Sequence, residues 1–172
     1  MRNIGQKFIF IVMAAFFISV VTSLTSAAAP ESLGRERAWE AVKDTDRDMC
    51  YMISFPLRSE GDYTSRGPVY LTISNRPKEN VVGEISFASG YPYGTQPVTF
   101  TVGSKNFELT PKGEWAWTKN AEDDKALLDA MISGSSLVVK GYSARGTLTT
   151  DTFSLSGVTA SWKKVQTTCA PQ

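Results

Sequence analysis

The segment VYLTISN, residues 69–75, sets Val69, Leu71 and Ile73 on one side and Tyr70, Thr72 and Ser74 on the other. A period of two is the spacing of a strand with one buried face. The pattern recurs along most of the chain, and this repetition dictates the fold class. DMCYMISFP (Asp48–Pro56) reads as a strand, and NVVGEISFAS puts Ile85 and Phe87 on one side. PVTFTVGSKNFELT reads as a hairpin: Val98, Phe100 and Val102 face in, Gly103-Ser104 turns, and Phe107 and Leu109 return. GEWAWT spaces Trp115 and Trp117 two apart, and SSLVVKGYSA and DTFSLSG complete the strand-like runs. SEGDYTSRGP (Ser59–Pro68) is rich in Gly, Ser and Asp and reads as a loop. Residues 29–36 are polar and read as a loose lead-in.

Two stretches break the alternation. In NAEDDKALLDAMISG, Asn120 is a helix cap, and Glu122, Asp123 and Asp124 fill the first turn, where the helix dipole favours acids. Leu127 and Met131, and Leu128 and Ile132, are four apart, and Gly134 supplies a stop. Val158, Trp162, Val165 and Cys169 are spaced four, three and four, which predicts a short C-terminal helix ending at Cys169. The expected fold is a mainly β, antiparallel, sandwich-like single domain with one internal and one C-terminal helix.

The N-terminus carries Arg2 and Lys7, then an apolar run from Phe8 to Val21, then small residues at Ser26-Ala27-Ala28. This is the layout of a cleaved secretory signal, residues 1–28, with the domain occupying 29–172. The alternative, a membrane anchor, is disfavoured because a spanning helix needs roughly 20 apolar residues. No other stretch approaches that length. Without the leader the chain holds 16 basic against 17 acidic residues. That balance gives no drive toward nucleic acid or an anionic membrane. Cys50 and Cys169 are the only cysteines. In an oxidising compartment they are expected to pair, the alternative being two free thiols.

GYSARG, Gly141–Gly146, raises the question of a serine hydrolase. The nucleophile elbow is G-x-S-x-G, and Arg145 stands where the second glycine belongs. The chain contains no histidine, so a Ser-His-Asp relay around Ser143 cannot be built. Lys140 is the sole nearby candidate for a Ser-Lys pair, and such proximity is ordinary in a strand. Lacking histidine also removes the commonest metal ligand and general base. Asp44, Asp46 and Asp48 begin like a calcium loop, but the glycine and closing glutamate are missing, so a solvated acidic turn is expected. No cofactor motif is present, and no cofactor or metal is expected.

Aromatic residues are the remaining candidates. GYPYG (Gly90–Gly94) offers Tyr91 and Tyr93 around a proline, either stacked on a sugar or peptide or packed as a turn. Trp115 and Trp117 share a strand face; core packing is the expected role and a ligand platform the alternative. Arg145 and Asp151 are candidates for a structural ion pair.

CYMISFP (Cys50–Pro56), RGPVYLTISNRP (Arg66–Pro77), GYPY, Ala116-Trp117, DKALLDAMISGSSLVVKGYSARGTLTTDTFSLSG (Asp124–Gly157) and a closing cysteine resemble the invasion-associated locus B family. The likeness spans most of residues 37–169. Its most particular part carries Arg145, Gly146, Thr147, Asp151 and Leu155 at matching places. Val158 departs from a frequent Phe, and Ser161-Trp162 from smaller residues, which implies repacking of the last helix. The resemblance implies a small exported protein of Gram-negative bacteria, periplasmic or envelope-associated, with no active site assigned to it. The family's name comes from a locus linked to penetration of red blood cells by a pathogen. The leading expectation is therefore a non-catalytic protein that acts by binding an unknown protein or glycan partner. The alternatives are a secreted or surface-displayed factor contacting host cells, and a carboxylate-dependent hydrolase.

Overall fold

A computed structural model describes residues 28–170; the leader expected over residues 1–28 falls almost wholly outside them. Eleven strands and two helices follow one another: β1 Glu31–Glu36, β2 Trp39–Asp44, β3 Met49–Ser54, β4 Arg58–Gly61, β5 Tyr70–Arg76, β6 Val81–Ala88, β7 Val98–Val102, β8 Lys105–Lys112, β9 Trp115–Trp117, α1 Ala121–Ser133, β10 Ser136–Tyr142, β11 Leu148–Ser154 and α2 Val158–Thr168. All strand pairs are antiparallel, in the order β1-β2-β3-β5-β6-β9-β8-β7-β10-β11-β4.

This long sheet folds over on itself into two layers. The first runs from β1 to β9, and the second from β7 to β4, with β8 joining them. Phe87 on β6 meets Phe100 on β7 and Phe153 on β11 edge-to-face, at 5.8 and 6.0 Å between centroids. The Trp39 indole on β2 donates to the Ser154 carbonyl on β11. The expected alternation is the reason. Leu71, Ile73, Ile85, Phe87, Val98, Phe100, Leu109, Leu137, Val139 and Phe153 are all buried within one core.

Both helices lie against the first layer. α1 starts where expected, with the Asn120 side chain accepting from Asp123 N at 2.9 Å, and buries Leu127, Leu128 and Met131 while Ile132 stays exposed. α2 packs across β1, β2, β3 and β5 and ends at Cys169, disulfide-bonded to Cys50 on β3. Among the described residues no helix is long and apolar enough to cross a membrane.

Two expectations fail. Residues 31–36 are not a lead-in but an edge strand paired with β2. Ser59–Pro68 is not all loop, because residues 58–61 pair with β11 as the opposite edge. β4 is exposed throughout, and β1 is polar apart from Leu33, which packs against the core, so neither shows an apolar alternation. Trp115 and Trp117 also depart from the expected core role. Ala116 takes the inner position, fully buried, and the two indoles stand on the outer face, half-buried.

Candidate functional site

Three loops converge at one end of the sandwich. The first, residues 62–68, leaves β4. The second is the turn from Ser89 to Gly94 after β6. The third is the tip joining β10 to β11. Together they wall a cleft of about 440 Å³ lined by Asp62, Tyr63, Arg66, Tyr91, Arg145 and Thr147, among others. Its size is in the range typical of small-ligand sites.

Local chemistry shapes each loop. In the β10–β11 tip, Ser143 Oγ accepts from Arg145 N at 3.2 Å and Thr147 N at 3.1 Å. The serine of GYSARG is thus a turn-forming residue, as serine commonly is. The tip is pinned to the tyrosine turn: Ala144 N donates to Pro92 O at 2.8 Å, and Gly94 N to Tyr142 O at 3.0 Å. The tyrosine turn is in turn locked to the first loop by Gly67 N donating to Gly90 O at 2.9 Å. Gly90 has φ +71°, and a side chain there would strike the Gly67 backbone, so only glycine lets these loops touch.

The floor is an ion pair, and it is not the expected one. Asp151 pairs with Arg66, 85 residues away in sequence, and not with Arg145. Arg66 donates to both Asp151 oxygens, at 2.8 and 2.7 Å, and through Nε to the Ser89 carbonyl. The side chains are 5% and 1% exposed. Planar bidentate geometry is what makes such a pair tolerable away from water. Burial opposes the Arg66 charge, but the hydrogen bond and charge of Asp151 outweigh it and hold its pKa above the ordinary arginine value. The guanidinium also lies 4.8 Å from the Tyr91 ring centroid and 5.6 Å from that of Tyr63, a cation–π arrangement.

The two tyrosines of GYPYG divide their roles. Tyr93 is buried, 5.2 Å from Tyr91 and edge-on to it. A side chain on Gly141 would meet the Tyr93 ring at 2.8 Å, so this glycine makes room for it. Burial pushes the Tyr93 phenol far above its usual value. Tyr91 is half-buried and faces the cleft, its hydroxyl 2.7 Å from Thr149 Oγ1, and burial raises its pKa also. Arg145 and Gly146 are exposed at the tip, with Thr147 beside them. Among the described residues Arg145 forms no ion pair, so its charge is free at the cleft mouth.

The motif residues Arg145, Thr147 and Asp151 therefore meet Tyr91 in one place, with Gly146 in the tip beside them. Sequence reasoning missed Tyr63 and Arg66; both lie in a stretch that reads only as loop. The acidic turn stands apart: Asp44 accepts from Arg47 N at 3.1 Å, and Asp48 pairs with Lys78 at 3.4 Å. Chemically the cleft offers aromatic walls, hydroxyls from Thr64, Ser65, Ser143 and Thr147, one free cation in Arg145 and one carboxylate in Asp62. No family model, no curated protein and no solved structure matches the chain.

Proposed function

We propose that this chain is an exported, envelope-located protein of the invasion-associated locus B type that acts by binding, without catalysis, and that the cleft is its binding site. The observation that carries this reading is the buried Arg66–Asp151 pair, which fixes tyrosine walls around an opening and leaves Arg145 free at its mouth. A preorganised cleft with an aromatic wall, hydroxyls and one charge of each sign suits a polar, hydroxylated ligand. The sequence contains no histidine, and of the two serines at the cleft Ser143 uses its hydroxyl to shape a turn. The Cys50–Cys169 disulfide supports export to an oxidising compartment.

Calorimetric titration of the oxidised protein with a panel of amino sugars, uronic acids and short peptides tests the binding claim. The expected result is saturable binding to one class, weakened about tenfold or more by Arg145→Gln or Tyr63→Ala. Turnover of a probe, abolished by one point substitution, would show an enzyme instead. Saturable binding indifferent to both substitutions would remove the cleft from the account. Protease shaving of intact cells tests location: a periplasmic protein survives with a periplasmic marker until the outer membrane is opened, whereas digestion beside an intact marker places it on the surface.

A further inference from the structure

We propose that the free edge of β4 is a contact between two copies of this chain: two β4 strands pair antiparallel about a twofold axis at Ser59 and join the second layers of both copies into one sheet. The contact does not depend on ligand binding in the cleft.

β4 ends the strand order and pairs with β11 alone. All four of its residues, Arg58 to Gly61, are exposed, so among the described residues nothing covers its outer edge. A strand edge presents unpaired N–H and C=O groups, a template for another strand. The opposite edge strand, β1, is guarded: its register shifts between Ser32 and Gly34, and a bulge interrupts pairing. β4 keeps an unbroken register with β11 from Arg58 to Gly61 and contains no proline. Apolar side chains also gather here. Of six exposed large hydrophobic residues among those described, four stand beside β4. Phe55 and Leu57 precede it, Tyr63 follows it, and Leu148 adjoins Thr149, the residue opposite Gly61. Leu57, at 72%, is the most exposed of the six. Such a concentration marks a contact surface.

Charge complementarity identifies the second strand as another β4. Arg58 and Glu60 share a face, two residues apart, and form an ion pair at 3.2 Å. Their side chains are 66% and 53% exposed, so within one copy the pair contributes little. With Ser59 opposite its own copy, Arg58 faces the other copy's Glu60, and Glu60 the other copy's Arg58. Two separate pairs then become one cluster of four alternating charges, in the cross-strand positions where opposite charges attract. The register is specified as well. An axis at Arg58 or at Glu60 would set like charges face to face, which is destabilising. The favoured register also sets Leu57 against Gly61, the one β4 residue without a side chain, so an uncovered leucine meets open backbone. Charges on an edge commonly keep other strands away, and a run of one sign would repel its own copy. One charge of each sign, two residues apart, attracts it instead. A twofold axis supplies this match automatically, because each copy presents the same patch to the other.

Sedimentation equilibrium of the oxidised protein over a concentration series reads this contact. The expected result is a reversible monomer–dimer equilibrium with a dissociation constant below about 1 mM. Arg58→Glu and Glu60→Arg each set like charges opposite one another at two places, and each should weaken the dimer about tenfold or more. An equimolar mixture of these two variants should restore dimerisation as a mixed pair. The exchange of both residues in one chain, Arg58→Glu with Glu60→Arg, should restore it too. Such recovery separates a strand contact from a loss of folding. Leu57→Ser should weaken the dimer, and Arg145→Gln should leave it unchanged. A protein that stays monomeric up to about 1 mM would overturn the proposal. So would a dimer indifferent to both charge reversals, or one that neither the mixture nor the exchange restores. Loss of the dimer on Arg145→Gln would also overturn it, by moving the contact to the cleft mouth.

Discussion

At the scale of single residues, two buried acids behave in opposite ways. Asp151 is held by the Arg66 fork in a nearly water-free position. Removing one partner of such a pair strands the other, at a cost of about 3–5 kcal/mol. Arg66→Ala is therefore expected to lower stability by that amount in urea unfolding, and Arg66→Lys should not rescue it fully, because an ammonium cannot reproduce the two-pronged contact. Arg145→Ala, at an exposed tip, should change stability by no more than about 0.5 kcal/mol. A reversed order would mean that Asp151 pairs with Arg145. Among the described residues Asp124 has no cation partner. Its Oδ1 accepts from Ile85 N at 2.8 Å and from Thr118 Oγ1 at 2.7 Å, and burial raises its pKa despite these bonds. An acid whose folded pKa lies above its unfolded value contributes stability at low pH that is lost as pH rises through the folded pKa. Asp124→Asn keeps both acceptor contacts and removes the charge. Relative to this variant, the wild type should lose stability as pH rises from about 4 toward neutrality, read as the difference in urea midpoints. A difference that is flat or of opposite slope would contradict the raised pKa.

At the scale of elements, the legible parts were those with a face to bury. The alternation in β5, β6 and β7 states their inward sets correctly, and the four-three-four spacing in α2 ends at Cys169 as read. Strands β1 and β4 carry no such signal, since an edge strand takes its geometry from one neighbour and, Leu33 apart, these two carry polar side chains or glycine. Alternation also leaves one question open: it says which residues share a face, not which face is inside. For β9 the inner position falls to Ala116, in register with Phe87, whose ring lies in the core, and the indoles go outward. The Arg66–Asp151 pair was illegible because nothing local links residues so far apart; Arg145 was merely the nearest cation in the sequence. The disulfide was legible from the cysteine count and the expected leader alone. It clamps α2 to β3, and Asn75 reinforces the join by donating to the Cys169 carbonyl at 3.0 Å while accepting from Gly83 N at 2.9 Å. With the cysteines 119 positions apart in sequence, loop closure assigns the bond about 4–5 kcal/mol, of which engineered cases often deliver less. Replacing both cysteines with serine should therefore cost about 2–5 kcal/mol in urea unfolding, and hydrogen exchange should rise first in α2. Unchanged stability would mean that the helix docks without the bond.

At the scale of the whole molecule, the fold brings its least regular segments to one end. The two layers and the disulfide form a rigid frame, and three loops from three different strand pairs meet on it. None of the loops makes the cleft alone, which explains why the sequence pointed to Tyr91, Arg145 and Thr147 separately but not to a common site. This junction is the proposed binding site. Amide-shift mapping of the oxidised protein, titrated with the same panel of amino sugars, uronic acids and peptides, tests it most directly. Saturable shifts are expected to concentrate in residues 62–66, 90–92 and 143–149, and to be lost in the Tyr63→Ala, Arg145→Gln double variant. Saturable shifts confined to other regions, or shifts in the cleft that persist in the double variant, would contradict it.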